Sequence, residues 1–423
     1  VSSAVIADPD TYVTGVPHEL LARLRRETPV TRIGDFWAVL RHAEVRQVLR
    51  SPAVFSSQLG GTQVRDPATA EDLRYVRRMM LNMDPPEHGR LRGLLTKAFT
   101  PRAIGRLTER IEGWARDLVA AVADRGECDF AKDVAADLPL LTLAEVFGVP
   151  EQDRRLMFDW SNRVIGYQDA EYAVSATVRA DDVTDLARAA LAVRPEPGPG
   201  GQMPDPRSRT GMPDLYAYAH ALGEHKRTHP GDDVMSNLMQ YVDDDGGRVS
   251  IEEFENLFWL FSVAGNETLR NGLPGGMAAL LAHPEQYRKL LADRTLLPGA
   301  VEEMLRWWTP VMNFRRTATQ DTRLSGVDIK AGDKVVVWFS SANRDESVFP
   351  DPDVFDVTRA PSEHLTFGHG PHFCLGSHLA RVQMRALFEA VLDRLGEVRP
   401  AGEPRRLRSN FQNGIKSLPI RWD

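Results

Sequence analysis

Cys374 is the residue whose surroundings are most specific for chemistry. In Phe367-Gly-His-Gly-Pro-His-Phe-Cys374-Leu-Gly-Ser-His, Gly368 and Gly370 precede the sulfur, Gly376 follows it, and a helical pattern then begins. Glycines allow positive φ and let a flat partner approach the backbone. A helix start sets partial positive charge and unpaired N–H groups beside the sulfur, which favours the thiolate. A thiolate in such a loop is what axial ligation of haem iron requires. A second stretch, Ala264-Gly265-Asn-Glu267-Thr268, puts an acid and an alcohol inside a long apolar run, although Gly and Thr both lower helix propensity. Such a pair suits proton delivery in a site that otherwise excludes water. Glu303 and Arg306 are three apart and can pair on one helical face. His88 and Arg92, four apart, share another.

These residues need a mostly helical frame, and the pattern supplies one. Apolar side chains recur at helical spacing over 17–28, 102–124, 134–147 and 252–282, with Pro17, Pro101, Pro150 and Pro284 at the ends. Strand signals are few: 35–40 near the start, and 334–339 after the Ala331-Gly332 turn. The chain thus reads as mainly α, with small β-sheets near the N-terminus and in the last third. Its 423 residues allow two or three domains of ~150 residues, or one large one. Hydrophobic residues at 42% and charged residues at 26% exclude wholesale disorder, collagen and coiled coil. A net charge of −7 argues against nucleic-acid binding through overall basicity. Two cysteines, Cys128 and Cys374, exclude a disulfide scaffold and any all-cysteine metal cluster, and they suit a cytoplasmic location. No signal peptide and no membrane span is expected. Residues 195–213 are rich in Pro and Gly and read as a flexible loop or an interdomain linker.

Phe367, Gly368, Gly370, His372, Cys374 and Gly376 match the cysteine-loop signature of the cytochrome P-450 monooxygenases, and the resemblance extends over nearly the whole chain. It implies one large helical domain of that type over 1–423. It implies Cys374 as the proximal thiolate ligand of haem b, in a loop shaped by Phe367, Gly368 and Gly376, with O2 as co-substrate. Glu303, Arg306 and Arg359 would form a buried network that fixes this loop. Gly265 would permit a kinked helix with room for dioxygen, while Thr268 and Glu267 would relay protons. His88, Arg92, Arg316 and His372 fit the positions that hold the haem carboxylates. Electrons would come from a ferredoxin and its reductase, since no G-x-G-x-x-G follows a strand. Arg102, Arg106, Arg381 and Arg385 are candidates for docking that acidic partner. The chain is expected to act as a monomer.

Leu81-Asn-Met-Asp-Pro-Pro-Glu-His88 and Ser341-Ala-Asn-Arg-Asp-Glu-Ser347 resemble actinobacterial members that hydroxylate methyl-branched lipids, sterols and terpenoids. The resemblance implies an extended, apolar small-molecule substrate. Its pocket would include Ala264, Val311, Met312, Asn313 and Phe411, with the Asn313 amide orienting a polar group. Residues 180–212 exceed that subgroup's pattern and are expected to be a flexible insertion in the substrate-entrance lid, admitting a bulkier or polar-headed substrate. Epoxidation or coupling in secondary metabolism stays open as an alternative activity. A haem-based ligand sensor without turnover stays open as a different class.

Overall fold

The computed structural model describes residues 3–165, 169, 182–199, 203–206, 208–360 and 363–423. The chain divides into two compact units, Val1–Arg65 with Ile111–Leu138 and Thr268–Asp423, and Asp66–Arg110 with Pro139–Glu267.

The first unit is built around a five-stranded sheet. Val30–Ile33 and Phe36–Val39 form an antiparallel hairpin, turning at Gly34 with φ +57°. Phe36–Val39 runs parallel to Lys334–Trp338, which pairs antiparallel with Asn313–Ala318, and Phe55–Ser56 closes the edge. Lys-Val-Val-Val-Trp lacks polar alternation because both faces are covered, which is why a buried strand reads as an apolar run. Val335 and Val337 pack under the helix His42–Arg50, with Val45, Val48 and Leu49. Val336 and Trp338 point the other way, into Leu20, Leu21 and Leu24 of the helix His18–Glu27. The same unit holds the helix Leu297–Trp308 packed on Ser377–Arg394. A small sheet of Glu127–Asp129, Pro419–Arg421 and Arg399–Pro400 completes it.

The second unit is helical. Phe147, Phe254, Phe258, Trp160 and Tyr218 interlock with ring centroids 4.8 to 6.0 Å apart. The helix Val234–Gln240 packs on Glu87–Ala98, and Asp185–Leu191 on Pro213–Thr228. Among the described residues, no helix is long and apolar enough to cross a membrane.

The molecule is mainly helical with small sheets, as the periodicity predicts. Three local expectations change. The helix expected from 134 starts at Asp137, preceded by a wider turn over Phe130–Ala135 whose first N–H groups are capped by Asp129. The strand Asn313–Ala318 carries two arginines and gives no apolar signal. The insertion over 180–212 is also not structureless throughout. Asp185–Leu191 is a helix capped by Thr184, with Ala187 and Ala190 buried. Thr184 Oγ1 donates to Asp153 Oδ2 at 2.6 Å, and Arg194 reaches Asp159 at 2.9 Å. Of that segment, residues 180–181, 200–202 and 207 lie outside the described residues.

Candidate active site

The cysteine loop is a closed set of turns. Gly368 and Gly370 both adopt positive φ, +71° and +73°. At Gly370 a side chain is sterically impossible as well, since its Cβ would stand 2.6 Å from Leu49 O. The Cys374 N–H donates to Phe367 O at 2.9 Å, and Gly376 lies at the N-terminal cap of the helix Ser377–Arg394. A Cβ at Gly376 would come within 4.0 Å of the Cys374 sulfur. The sulfur is half-buried and in no disulfide. Phe367 stands over the loop, with Phe373 6.4 Å away and the Arg381 guanidinium 4.5 Å above its ring.

Behind the loop lies a buried ionic network. Arg306 Nε and Nη2 donate to the two oxygens of Glu303 at 2.7 and 2.8 Å, and Arg359 Nε is 3.1 Å from Glu303 Oε2. The Asp356 N–H adds a third hydrogen bond at 3.0 Å. Arg306 spends its remaining donors on the carbonyls of Asn343, Pro352 and Val354. This accounts for how a fully buried arginine is tolerated: every direction it faces offers an acceptor.

A second tie was not legible in the sequence. Arg381 forks onto Glu302 at 2.6 and 2.9 Å, and His364 meets the same carboxylate at 3.0 Å. Burial alone would raise the Glu302 carboxyl, but His364 and Arg381 outweigh it and hold it at about 2. Arg381 is therefore paired within the chain, with both side chains still partly exposed. Arg106 likewise pairs with Asp232 at 3.3 Å.

Arg316 sits in the strand Asn313–Ala318, 3% exposed, with Nη1 donating to Arg315 O at 2.8 Å. His372 is half-buried, its Nε2 3.4 Å from Ser57 Oγ. The pocket expectation needs two corrections. Met312 is fully buried among Phe36, Leu40 and Trp338, so it is a core residue. Asn313 is 1% exposed and its Nδ2 donates to Asn410 O at 2.8 Å, so the donor side of its amide is taken by the backbone, while Oδ1 is buried without a protein partner. Val311 and Phe411 are half-buried. Phe314, which ends the expected pocket stretch 311–314, joins them with its ring 5.6 Å from Phe411. Strand alternation separates neighbours onto opposite faces, and the unrecognised strand is why the assignment slipped.

In the other unit, the helix Glu87–Ala98 presents His88, buried, and Arg92, half-buried. The helix Ile251–Ala282 runs continuously through Gly265, with no break in its helical state there. Gly265 lets it approach Leu143, whose Cδ1 would lie 3.2 Å from an added Cβ. Ala264 is exposed and Glu267 is 2% exposed. Thr268, half-buried, follows on the same helix and opens the last segment of the first unit, Thr268–Asp423.

Comparison with known proteins agrees with these features. The Cytochrome P-450 family model matches residues 219–415. A Steroid C26-monooxygenase of Rhodococcus jostii (strain RHA1) is 37% identical, over 98% of this chain and 83% of the relative. A Methyl-branched lipid omega-hydroxylase of Mycobacterium bovis is 36% identical, over 95% of this chain and 90% of the relative. The structure of Mycobacterium marinum cytochrome P-450 CYP268A2 in complex with pseudoionone superposes with a TM-score of 0.81 at 35% identity, covering 96% of this chain and 94% of that one. A relative this similar over essentially its whole length shares both architecture and family, and the chain is a cytochrome P-450 monooxygenase.

Proposed function

We propose that the protein inserts one atom of O2 into a C–H bond of an extended apolar molecule of the steroid or methyl-branched lipid type. The observation that carries this reading is the cysteine loop. Its sulfur is in no disulfide, its neighbours at 368, 370 and 376 carry no side chain, and the Glu303–Arg306–Arg359 network lies in the same unit. That bare ledge fits a flat porphyrin. Cys374 would hold the iron of haem b, bordered by Gly265, Phe367, Gly368 and Gly376, while His88, Arg92, Arg316 and His372 would hold its carboxylates. When bound, a thiolate-ligated haem supplies the activation of O2, because the thiolate donates electron density that favours O–O cleavage.

The chain's own residues do the rest. Glu267 is a buried carboxyl that precedes Thr268 in the sequence of one helix. In this reading Glu267 carries a proton inward and Thr268 hands it on, a transfer worth ~10²–10⁴-fold in rate. Val311, Phe314 and Phe411 offer an apolar wall, and Ala264 is a further contact. The substrate class rests on the relatives' names, since those proteins are a steroid C26-monooxygenase and a methyl-branched lipid omega-hydroxylase. Electrons come from a ferredoxin and its reductase in this reading, supported by the lack of a dinucleotide fingerprint in the sequence. A cytoplasmic location belongs to the same reading, supported by two cysteines that form no disulfide.

The test is a Soret titration of the reconstituted protein with three ligands: a steroid carrying a full branched side chain, a steroid lacking it, and a methyl-branched fatty acid. The first and third should shift the band and the second should not. A shift by the side-chain-free steroid alone would overturn the terminal-methyl reading. Protein that stays colourless after hemin reconstitution would remove the haem assignment altogether.

A further inference from the structure

The Glu303–Arg306 pair and the cysteine loop are separated by some 60 residues of chain, and the helix that carries the pair meets the loop stem at Leu305 O. A further group joins the arginine itself to that stem. Asn343, 0% exposed, meets both sides. Its carbonyl accepts from Arg306 Nη1 at 2.9 Å. Its Oδ1 accepts from the Leu365 N–H at 2.6 Å. Its Nδ2 donates to Thr309 Oγ1 at 2.9 Å and to Thr366 Oγ1 at 3.0 Å. Both hydroxyls already donate elsewhere, Thr309 to Arg306 O and Thr366 to Leu305 O, each at 2.9 Å. They are therefore available to the amide as acceptors only, which fixes its orientation. No donor on this side chain is idle.

We infer that Asn343 is the positioning residue through which the Glu303–Arg306 pair holds the Cys374 loop. Leu365 and Thr366 are the stem of the loop. The next residue, Phe367, supplies the carbonyl that receives the Cys374 N–H at 2.9 Å, and the Gly368 N–H returns to Leu365 O at 2.9 Å. Fixing 365–366 thus fixes the backbone to which the cysteine is tied. Leucine at 343 would fill nearly the same volume but leave the Leu365 N–H buried without an acceptor, and a buried orphan donor opens its surroundings to water.

This inference rests on Cys374 as the iron ligand, and the experiment separates the two. Asn343→Leu is prepared as full-length haem protein beside wild type. The reduced carbon-monoxide difference spectrum reports the thiolate. Hydrogen exchange reports the Leu365 and Thr366 amides, with core amides of Ser377–Arg394 as reference. The variant should exchange at Leu365 at least about tenfold faster, 1.4 kcal/mol, and convert much of its thiolate carbonyl band to the neutral-ligand form, while the reference amides change less. Equal acceleration at all three sites, or an unchanged band with unchanged Leu365 protection, would overturn the role. If Asn343→Leu does not accumulate folded, Thr366→Val, which removes one partner and leaves the asparagine, carries the same expectation at Leu365. Wild type without a thiolate band would remove Cys374 as the ligand, and the exchange data would still decide the clasp.

Discussion

Thr268 has a neighbour with a job and a hydroxyl that is small enough to replace cleanly. On the proposed role, Thr268→Ala should leave the substrate-induced Soret shift in place but divert electrons, lowering product per electron severalfold and raising released hydrogen peroxide to match. Unchanged stoichiometry would take Thr268 out of the proton path. Glu303 is different in kind, because it acts on stability. Three hydrogen-bond donors and the Arg359 guanidinium converge on its carboxylate. Glu303→Gln keeps the shape and loses the charge, leaving the fully buried Arg306 guanidinium short of its counter-ion at a cost of ~3–5 kcal/mol, read as a lower denaturation midpoint. A loss below about 1 kcal/mol would mean the arginines re-pair at no expense. Cys374, Glu303 and Arg306 were legible because their signals are local: glycines within a few residues, or a spacing of three. Asn343, and the Glu302–His364–Arg381 tie, join residues 22 to 79 apart in sequence. No spacing rule reaches that far.

Helix periodicity located the long helix Ile251–Ala282 to within a residue, yet it says nothing of how closely another helix approaches. That information sits in Gly275. A Cβ there would stand 2.2 Å from the Trp308 ring, at the end of Leu297–Trp308. Two effects oppose in Gly275→Ala. Helix propensity favours alanine by up to ~1 kcal/mol, while forcing an indole aside in a packed core costs ~1–3 kcal/mol. The ring cannot yield freely, because Trp308 Nε1 donates to Asn413 O at 2.7 Å and Arg406 lies 4.9 Å over its face. Overpacking should win, with a net loss of ~1–2 kcal/mol. Gly113, inside Pro101–Ala123, has nothing within 4 Å of the added methyl, so Gly113→Ala should gain ~0.5–1 kcal/mol. Chemical denaturation of the pair decides it: the same sign for both would mean that the Trp308 contact does not control the site. Strands were harder to foresee than helices for a related reason. Asn-Phe-Arg-Arg-Thr-Ala forms a central strand although Arg315 and Arg316 are 4% and 3% exposed, and burial of that kind overrides any polar-outside pattern.

Acid should act on the two units unequally. The carboxyls held low by their surroundings include Glu302, Asp345 and Asp356, all within 268–423. Burial pushes each of them up, and hydrogen bonds outweigh it: His364 and Arg381 at Glu302, Ser347 and the His42 N–H at Asp345, Thr358 at Asp356. A carboxyl whose folded pKa is depressed stabilises the fold above its unfolded value, 3.8 or 4.5, and loses that contribution as pH falls toward the folded value, about 2 for Glu302. His42, in 1–65, adds to the trend at higher pH. Burial lowers it from 6.5, so the folded state resists the proton that the unfolded chain accepts. Every one of these groups makes the unfolded chain bind more protons, so stability of the first unit should decline from about pH 6.5 and steepen below 4.5. Units with their own cores can lose protection separately. Hydrogen exchange stepped from pH 7 to 3, corrected for intrinsic rates, should show the strand Lys334–Trp338 opening before the helix Pro213–Thr228. The reverse order would mean that buried charge in the helical unit governs acid unfolding. Glu302→Gln gives the internal control: it should flatten the decline between pH 4.5 and about 2 while leaving the onset near 6.5, which belongs to histidines, His18 and His42 among them.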